Sequence, residues 1–194
     1  MPLHKAQKQF MQQSWLKILG KPFGKSQAEK LAKDLVHQDE LCKIVLNLCF
    51  YQNQQIAFRA AWVLENLFTI DPDYFAEHLF AFLDCYAQQN NLSARRHFAK
   101  ILALVSDKKA PMACAKLLKT YDTEVLVETN FTWLIDDAVP VAVKSHCLSI
   151  LANLSNRHPW VREELLATMN HLLDKESIAF FAKVKQIRKQ LRIK

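Results

Sequence analysis

The chain repeats part of its own sequence, and this internal repeat restricts its possible folds more than any other feature. The stretch from Ala57 to Pro72 returns in diverged form from Lys144 to Pro159. With a shift of 87 residues the matching pairs are Asn66 and Asn153, Leu67 and Leu154, Pro72 and Pro159, and Glu77 and Glu164. A weaker third copy runs from Arg96 to Leu104. Such self-similarity is typical of proteins built from stacked helical repeats.

Glycine usage supports the same fold class. Only Gly20 and Gly24 occur among 194 residues, whereas a sheet protein of this length needs many glycines for hairpins and bulges. The chain is 51% hydrophobic and can bury a core. We therefore predict an all-α fold in a single helical-repeat domain over residues 1–194. Within it, residues 1–53 form N-terminal capping helices, 54–173 the repeats, and 174–194 a C-terminal capping helix.

Apolar periodicity and capping signals predict the individual helices. The predicted ranges are 3–19, 26–36, 39–52, 54–69, 72–89, 91–105, 111–120, 123–136, 140–155, 160–173 and 177–193. Ser26 to Glu29 has the pattern of a capping box, and Asp71-Pro72 that of a cap followed by proline at the first helical position. Asn53 or Gln54 is predicted to begin the helix to residue 69, and Asn91 or Ser93 to cap the helix to residue 105. The last helix is predicted to turn four residues inward, namely Phe181, Val184, Ile187 and Leu191.

The segment from Val143 to Leu154 resembles one helix of a HEAT repeat, whose usual form is Val-Arg, two small or apolar positions, and Leu-x-x-Leu. Phe58 to Leu64 resembles it less closely, because Trp62 stands where a small residue is usual. The resemblance covers residues 54–173. It implies a right-handed α-α superhelix of HEAT or armadillo type, which we expect to hold about five helical hairpins.

The resemblance also implies roles for two basic residues. Arg59 and Lys144 occupy the basic position of the repeat, which in such proteins often bonds a carboxylate or carbonyl of a neighbouring repeat. Asn66 and Asn153 are predicted to satisfy helix-end carbonyl groups between repeats. We expect all four residues to be structural.

No sequence motif indicates a catalytic or cofactor site. Gly20 to Ser26 is similar to a phosphate-binding loop, but it lacks one residue between the glycines and follows a predicted helix instead of a strand. The five cysteines are scattered without a Cys-x-x-Cys pair, so we predict reduced thiols in the core, no metal and a cytoplasmic protein. No cofactor is predicted, and no stretch suggests a membrane span.

Trp133 and Asp137 lie four residues apart, a spacing that places both on one face of a helix. HEAT-like alkylpurine DNA glycosylases also hold a tryptophan and an aspartate on adjoining turns. An indole face and a carboxylate suit a cationic base. The alternative is that Trp133 belongs to the core and Asp137 to a helix end.

A basic run offers a second candidate site. It consists of Arg95, Arg96, Lys100, Lys108 and Lys109, continues to Lys116 and Lys119, and precedes an acidic segment with Asp122, Glu124, Glu128, Asp136 and Asp137. The net charge of +7 is concentrated at residues 1–30 and 174–194, each with a net charge of +5. The basic run either neutralises the acidic segment or points into the groove of the repeats and holds phosphates or an acidic protein there.

These observations favour a non-catalytic binding or scaffold module that offers a grooved helical-repeat surface to a protein partner. The alternative is a nucleic-acid-binding or DNA-repair protein of the HEAT-like glycosylase type. Helical-repeat patterns describe packing, so they predict a fold and leave the ligand open.

Overall fold

The computed structural model describes residues 5–173 and 175–192, and over these residues the chain forms twelve α-helices and no strand. The prediction of an all-α fold is confirmed. The helices are α1 (Lys5–Leu19), α2 (Lys25–Leu35), α3 (Asp39–Leu48), α4 (Gln54–Ile70), α5 (Pro72–Ala76), α6 (Leu79–Tyr86), α7 (Leu92–Val105), α8 (Met112–Thr120), α9 (Glu124–Ile135), α10 (Val141–Leu154), α11 (Pro159–Leu172) and α12 (Ile178–Leu191).

The chain divides into two compact units, residues 1–98 and residues 99–194, with the division inside α7. The single domain over residues 1–194, with its capping segments, stays a prediction. Residues 1–4, 174, 193 and 194 of those segments lie outside the described part of the chain.

In the first unit α4 is the central helix. It packs against α1, α2, α3 and α5 and carries most of the first copy of the repeat. Its buried residues are Ile56, Ala57, Ala60, Ala61, Val63, Leu64, Leu67 and Phe68. Beside it lies a cluster of aromatic core rings in edge-on and tilted contact, made by Phe68, Phe75, Phe82, Tyr86 and Phe98.

In the second unit α10 has the corresponding place. It packs against α9, α11 and α12 and carries the second copy of the repeat. Its buried residues are Val143, Lys144, Cys147, Leu148, Ile150, Leu151, Ala152 and Leu154. The repeated sequence therefore marks the helix that is central to each unit.

Three predicted caps are present. The side chains of Asn53, Asp71 and Asn91 each accept hydrogen bonds from backbone N–H groups in the first turn of the following helix. Pro72 occupies the first turn of α5, where its missing N–H leaves no donor unpaired. These caps depend on neighbouring residues alone, which explains why the sequence predicts them.

The predicted capping box at Ser26 is wrong. Helix α2 begins at Lys25, and Gly24 is its N-cap residue, without a side-chain hydrogen bond. Ser26 is therefore already inside the helix. Glu29 does not reach back to a cap, because its carboxylate lies 3.6 Å from the Lys25 ammonium.

Two predicted helices are too long. The predicted helix 72–89 is interrupted at Glu77 and His78, between α5 and α6, and the predicted helix 39–52 ends at Leu48. In both cases neither glycine nor proline marks the position. Phe75 and Phe82, on either side of the interruption, are both buried in the aromatic core, so tertiary packing determines the turn.

The final helix turns a different phenylalanine inward from the one predicted. The buried residues of α12 are Phe180, Val184, Ile187 and Leu191, whereas Phe181 is only half-buried. The spacing of four, three and four residues keeps all of them on one helical face. The predicted end at Ile193 lies outside the described residues.

Candidate functional site

A row of three half-buried aromatic rings lies on the first unit, made by Phe23, Phe58 and Trp62 and called here the ring row. Trp62 is stacked on Phe23 with ring centroids 5.8 Å apart, and on Phe58 with centroids 6.0 Å apart. Phe58 and Trp62 are one turn apart on α4, and Phe23 lies in the segment before α2. Half-buried rings in mutual contact form a firm apolar surface.

Polar contacts fix the ring row on two sides. Arg59 donates a hydrogen bond of 2.8 Å to the carbonyl oxygen of Leu19, and its guanidinium carbon lies 5.9 Å from the centre of the Phe23 ring. Nδ1 of the buried His97 lies 2.5 Å from the Glu65 carboxylate. The His97 ring contacts both α4 rings of the row, and Glu65 is on the same helix.

An open cleft of about 510 Å³ adjoins the ring row. Phe23 is part of both. The other lining residues are Ser14, Lys17, Ile18, Lys21, Pro22, Gly24 and Gln27. The cleft therefore brings the exposed side chains of Lys17 and Lys21 together with the Phe23 ring.

A second cluster of polar side chains surrounds Cys42. Its sulfur lies 3.4 Å from the Tyr74 hydroxyl, which donates a hydrogen bond of 3.0 Å to Asp39. The thiol and the His78 ring line a small, mostly apolar cavity of about 110 Å³. Burial raises the pKa of the Cys42 thiol and of the Tyr74 hydroxyl. Both groups are therefore protonated at neutral pH, and Cys42 is not an activated nucleophile.

His78 makes the stability of the first unit dependent on pH. Burial lowers the pKa of its imidazole, although Asp39 and Glu77 act in the opposite direction. Between this lowered value and about 6.5 the unfolded chain binds more protons than the native one, so stability falls as pH decreases through that window. We expect His78→Gln to reduce the loss of unfolding free energy between about pH 7.5 and 5.5, measured by urea denaturation. Identical pH profiles for both proteins would contradict this assignment.

The predicted pair of Trp133 and Asp137 combines a buried tryptophan with an exposed aspartate. Trp133 is 3% exposed and belongs to the core of the second unit. Helix α9 ends at Ile135, so the four-residue helical spacing does not reach the exposed Asp137. This placement agrees with the alternative that Trp133 is a core residue, and a binding role for the pair stays a prediction.

The basic run is divided between the two units. Arg95 and Arg96 belong to the first unit, and Lys100, Lys108 and Lys109 to the second. Arg95 donates to the carbonyl oxygen of Gln89 at 2.8 Å, whereas Arg96 is exposed. Lys108 and Lys109 are exposed in the turn after α7. A binding role for this run stays a prediction.

The predicted structural residues have different partners. Lys144 is buried and forms an ion pair with Glu176. The Asn153 side chain donates to the carbonyl oxygen of Ala103 at 3.3 Å, near the end of α7. The Asn66 side chain instead donates to the backbone carbonyl oxygen of Trp62, in its own helix, at 2.8 Å. It therefore does not make the predicted hydrogen bond between repeats.

The ring row itself was not predicted as a site. The available signal was Trp62, which departs from the small residue usual at that repeat position. Phe23 lies 39 residues earlier, and the sequence gives no indication that the two rings meet.

The described residues also bear on metal sites and membrane spans. No group of three or more histidine, cysteine, aspartate or glutamate side chains there is arranged to hold a metal ion. None of the described helices has both the length and the apolar character needed to cross a membrane.

Comparison with known proteins identifies the family. A family model for the HEAT repeat domain matches residues 15–191, which extends beyond the predicted range of 54–173 at both ends. Neither the curated proteins nor the solved structures contain a match. The match covers most of the chain and agrees with the two repeat-bearing central helices. The chain therefore belongs to the HEAT repeat family.

Proposed function

We propose that this protein is a non-catalytic binding module that holds a protein partner on the ring row of its first unit. The observation that carries the proposal is the stack of Phe23, Phe58 and Trp62, which is only half-buried although it is large and apolar. Tryptophan and other aromatic residues contribute most at protein interfaces when they are packed and firmly placed.

The fixed geometry of the row supports this function. Arg59 ties α4 to the end of α1, and the His97 ring packs against Phe58 and Trp62 while bonded to Glu65. Side chains that are already ordered lose little conformational entropy when a partner binds. More of the interaction energy is therefore retained as affinity.

The surroundings of the row indicate the chemistry of the partner. The adjoining cleft carries Lys17 and Lys21, both exposed. A partner segment with an apolar or aromatic anchor for the rings and acidic residues for the lysines complements this surface. The neutral thiol and phenol of the Cys42 cluster are in keeping with a role in binding.

The test compares three immobilised proteins in an extract of cells that express the chain: wild type, Trp62→Ala and Phe10→Ala. Loss of a central aromatic anchor costs about 2 kcal/mol or more, so we expect partner binding to fall about 30-fold in Trp62→Ala. Phe10 is also exposed but lies outside the row, and Phe10→Ala is expected to bind as wild type does. Thermal melts confirm that both variants remain folded.

Salt and nuclease separate this function from the nucleic-acid alternative. Binding that persists after nuclease treatment and at about 0.5 M salt supports an apolar protein contact, because salt screens exposed charges. The exposed Arg96, Lys108 and Lys109 favour the alternative. Retention on duplex DNA that decreases steeply with salt and is unchanged in Trp62→Ala would support the alternative and contradict our proposal.

A further inference from the structure

The second unit carries a separate exposed surface where α9 meets α11. Phe131 of α9 is stacked on Trp160 of α11, with ring centroids 5.5 Å apart and planes inclined by 26°. Trp160 is 44% exposed and Ile135, one turn beyond Phe131, is 57% exposed. Glu164 lies one turn beyond Trp160. These four residues are called here the α9–α11 seam.

Two exposed carboxylates lie at this seam. Residues 122–137 contain five acidic residues and no lysine or arginine. Asp137, Glu164 and Ile135 line one open cleft of about 480 Å³, with His171 and Lys175 also on its wall. Lys175 Nζ lies 3.0 Å from the His171 ring nitrogen, and Asp137 and Glu164 are both exposed. The seam thus combines an exposed indole with carboxylates.

The two helices are fixed to each other at the end of the seam nearest Trp160. Nδ1 of His158 lies 2.8 Å from the Glu124 carboxylate, and Nε2 of the same ring lies 2.7 Å from the Thr123 hydroxyl. Arg157 donates two hydrogen bonds of 2.8 Å to the carbonyl oxygens of Leu118 and Tyr121. These contacts fix the start of α11 without using the four residues of the α9–α11 seam.

We infer that the α9–α11 seam binds an arginine-containing basic segment of a partner protein. One face of the Trp160 indole is against Phe131, which leaves the opposite face for a second planar group. A guanidinium both stacks on an indole and pairs with carboxylates, whereas an ammonium matches only the charge. The exposed carboxylates of Asp137 and Glu164 disfavour nucleic acid as the occupant. This inference uses a different surface from the ring row and does not depend on it.

The test is fluorescence anisotropy of wild-type protein with three labelled heptapeptides of the same length. The first contains two arginines around one leucine, and the others replace both arginines with citrulline or with lysine. We expect the arginine peptide to bind at least about threefold more tightly than the lysine peptide, because it adds stacking to the charge interaction. Citrulline keeps the planar group without its charge, and we expect that peptide not to bind.

Variants then assign the binding to the seam. Trp160→Ala is expected to weaken arginine-peptide binding about two- to fivefold. Glu164→Lys is expected to weaken it at least about fivefold, since it removes one attraction and adds a repulsion. Asp34→Lys makes the same change of net charge at an exposed position of α2, in the first unit, and is expected to retain wild-type affinity. Circular dichroism and thermal melts check that each variant is folded.

Three results would overturn the inference. The first is equal affinity for the arginine and lysine peptides, which indicates general attraction of cations. The second is equal loss of binding in Glu164→Lys and Asp34→Lys. The third is a dimer in sedimentation velocity that disappears in Trp160→Ala, which means that a second copy of the chain occupies the seam.

Discussion

Replacing Phe82 with alanine is expected to lower the free energy of unfolding by about 3–5 kcal/mol. Phe82 is 1% exposed and contacts the rings of Phe75, Tyr86 and Phe98, the last with a centroid distance of 4.8 Å. The substitution removes apolar surface from the core and leaves a cavity that rigid neighbouring rings fill poorly. It also removes three ring–ring contacts, each of which contributes about 0.5–1.5 kcal/mol.

The matched control is Phe80→Ala on the same helix. Phe80 is 42% exposed, so the same chemical change removes a side chain that still contacts solvent. We expect a loss of about 1 kcal/mol or less for Phe80→Ala. Urea denaturation of both variants measures the difference. Equal losses would show that Phe82 does not have the central place that its ring contacts indicate.

Lys144→Ala is expected to destabilise the protein by about 3–5 kcal/mol. Lys144 is 2% exposed and forms an ion pair with Glu176, whose side chain is 14% exposed. Truncating the lysine leaves a largely buried carboxylate without its counter-charge, which is more costly than losing a solvated pair. The long lysine stem also fills core volume between α10 and the segment before α12.

Two further variants distinguish charge from packing. Lys144→Met with Glu176→Leu removes both charges and retains volume, and we expect it to recover most of the lost stability. Lys43→Ala breaks the exposed pair with Glu40, in which the two atoms are 3.2 Å apart, and is expected to cost less than about 1 kcal/mol. A double variant as unstable as Lys144→Ala would contradict this account, because it retains the packed volume and leaves no charge unpaired.

Local chemistry explains which parts of the fold the sequence predicts. The caps at Asn53, Asp71 and Asn91 need only a side-chain oxygen and the next turn of backbone. The interruption at Glu77 and His78 has no comparable local signal, because it depends on distant core partners. The error at Ser26 has a different origin, since Gly24 serves as the N-cap and the helix begins earlier.

The candidate sites were harder to predict because they depend on contacts far apart in sequence. Trp62 meets Phe23 and His97, and Trp160 meets Phe131, only after the helices have packed. Trp133 shows the same dependence on distant contacts: its spacing to Asp137 suits a helix, but burial of the indole is a property of the whole unit.

The duplicated sequence of α4 and α10 has diverged on the outward side. At the shift of 87 residues, Phe58 and Trp62 of the first copy correspond to Ser145 and Ser149 of the second. The hydroxyl groups of Ser145 and Ser149 donate hydrogen bonds to carbonyl oxygens of their own helix, at 2.9 and 3.3 Å. This face of α10 therefore carries small side chains at the positions where α4 has aromatic rings. Some interior positions are the same in both copies, among them Leu64 and Leu151, whereas the outward positions carry bulky rings in α4 and serines in α10. The aromatic surface is therefore a feature of the first copy that the repeat pattern itself does not require.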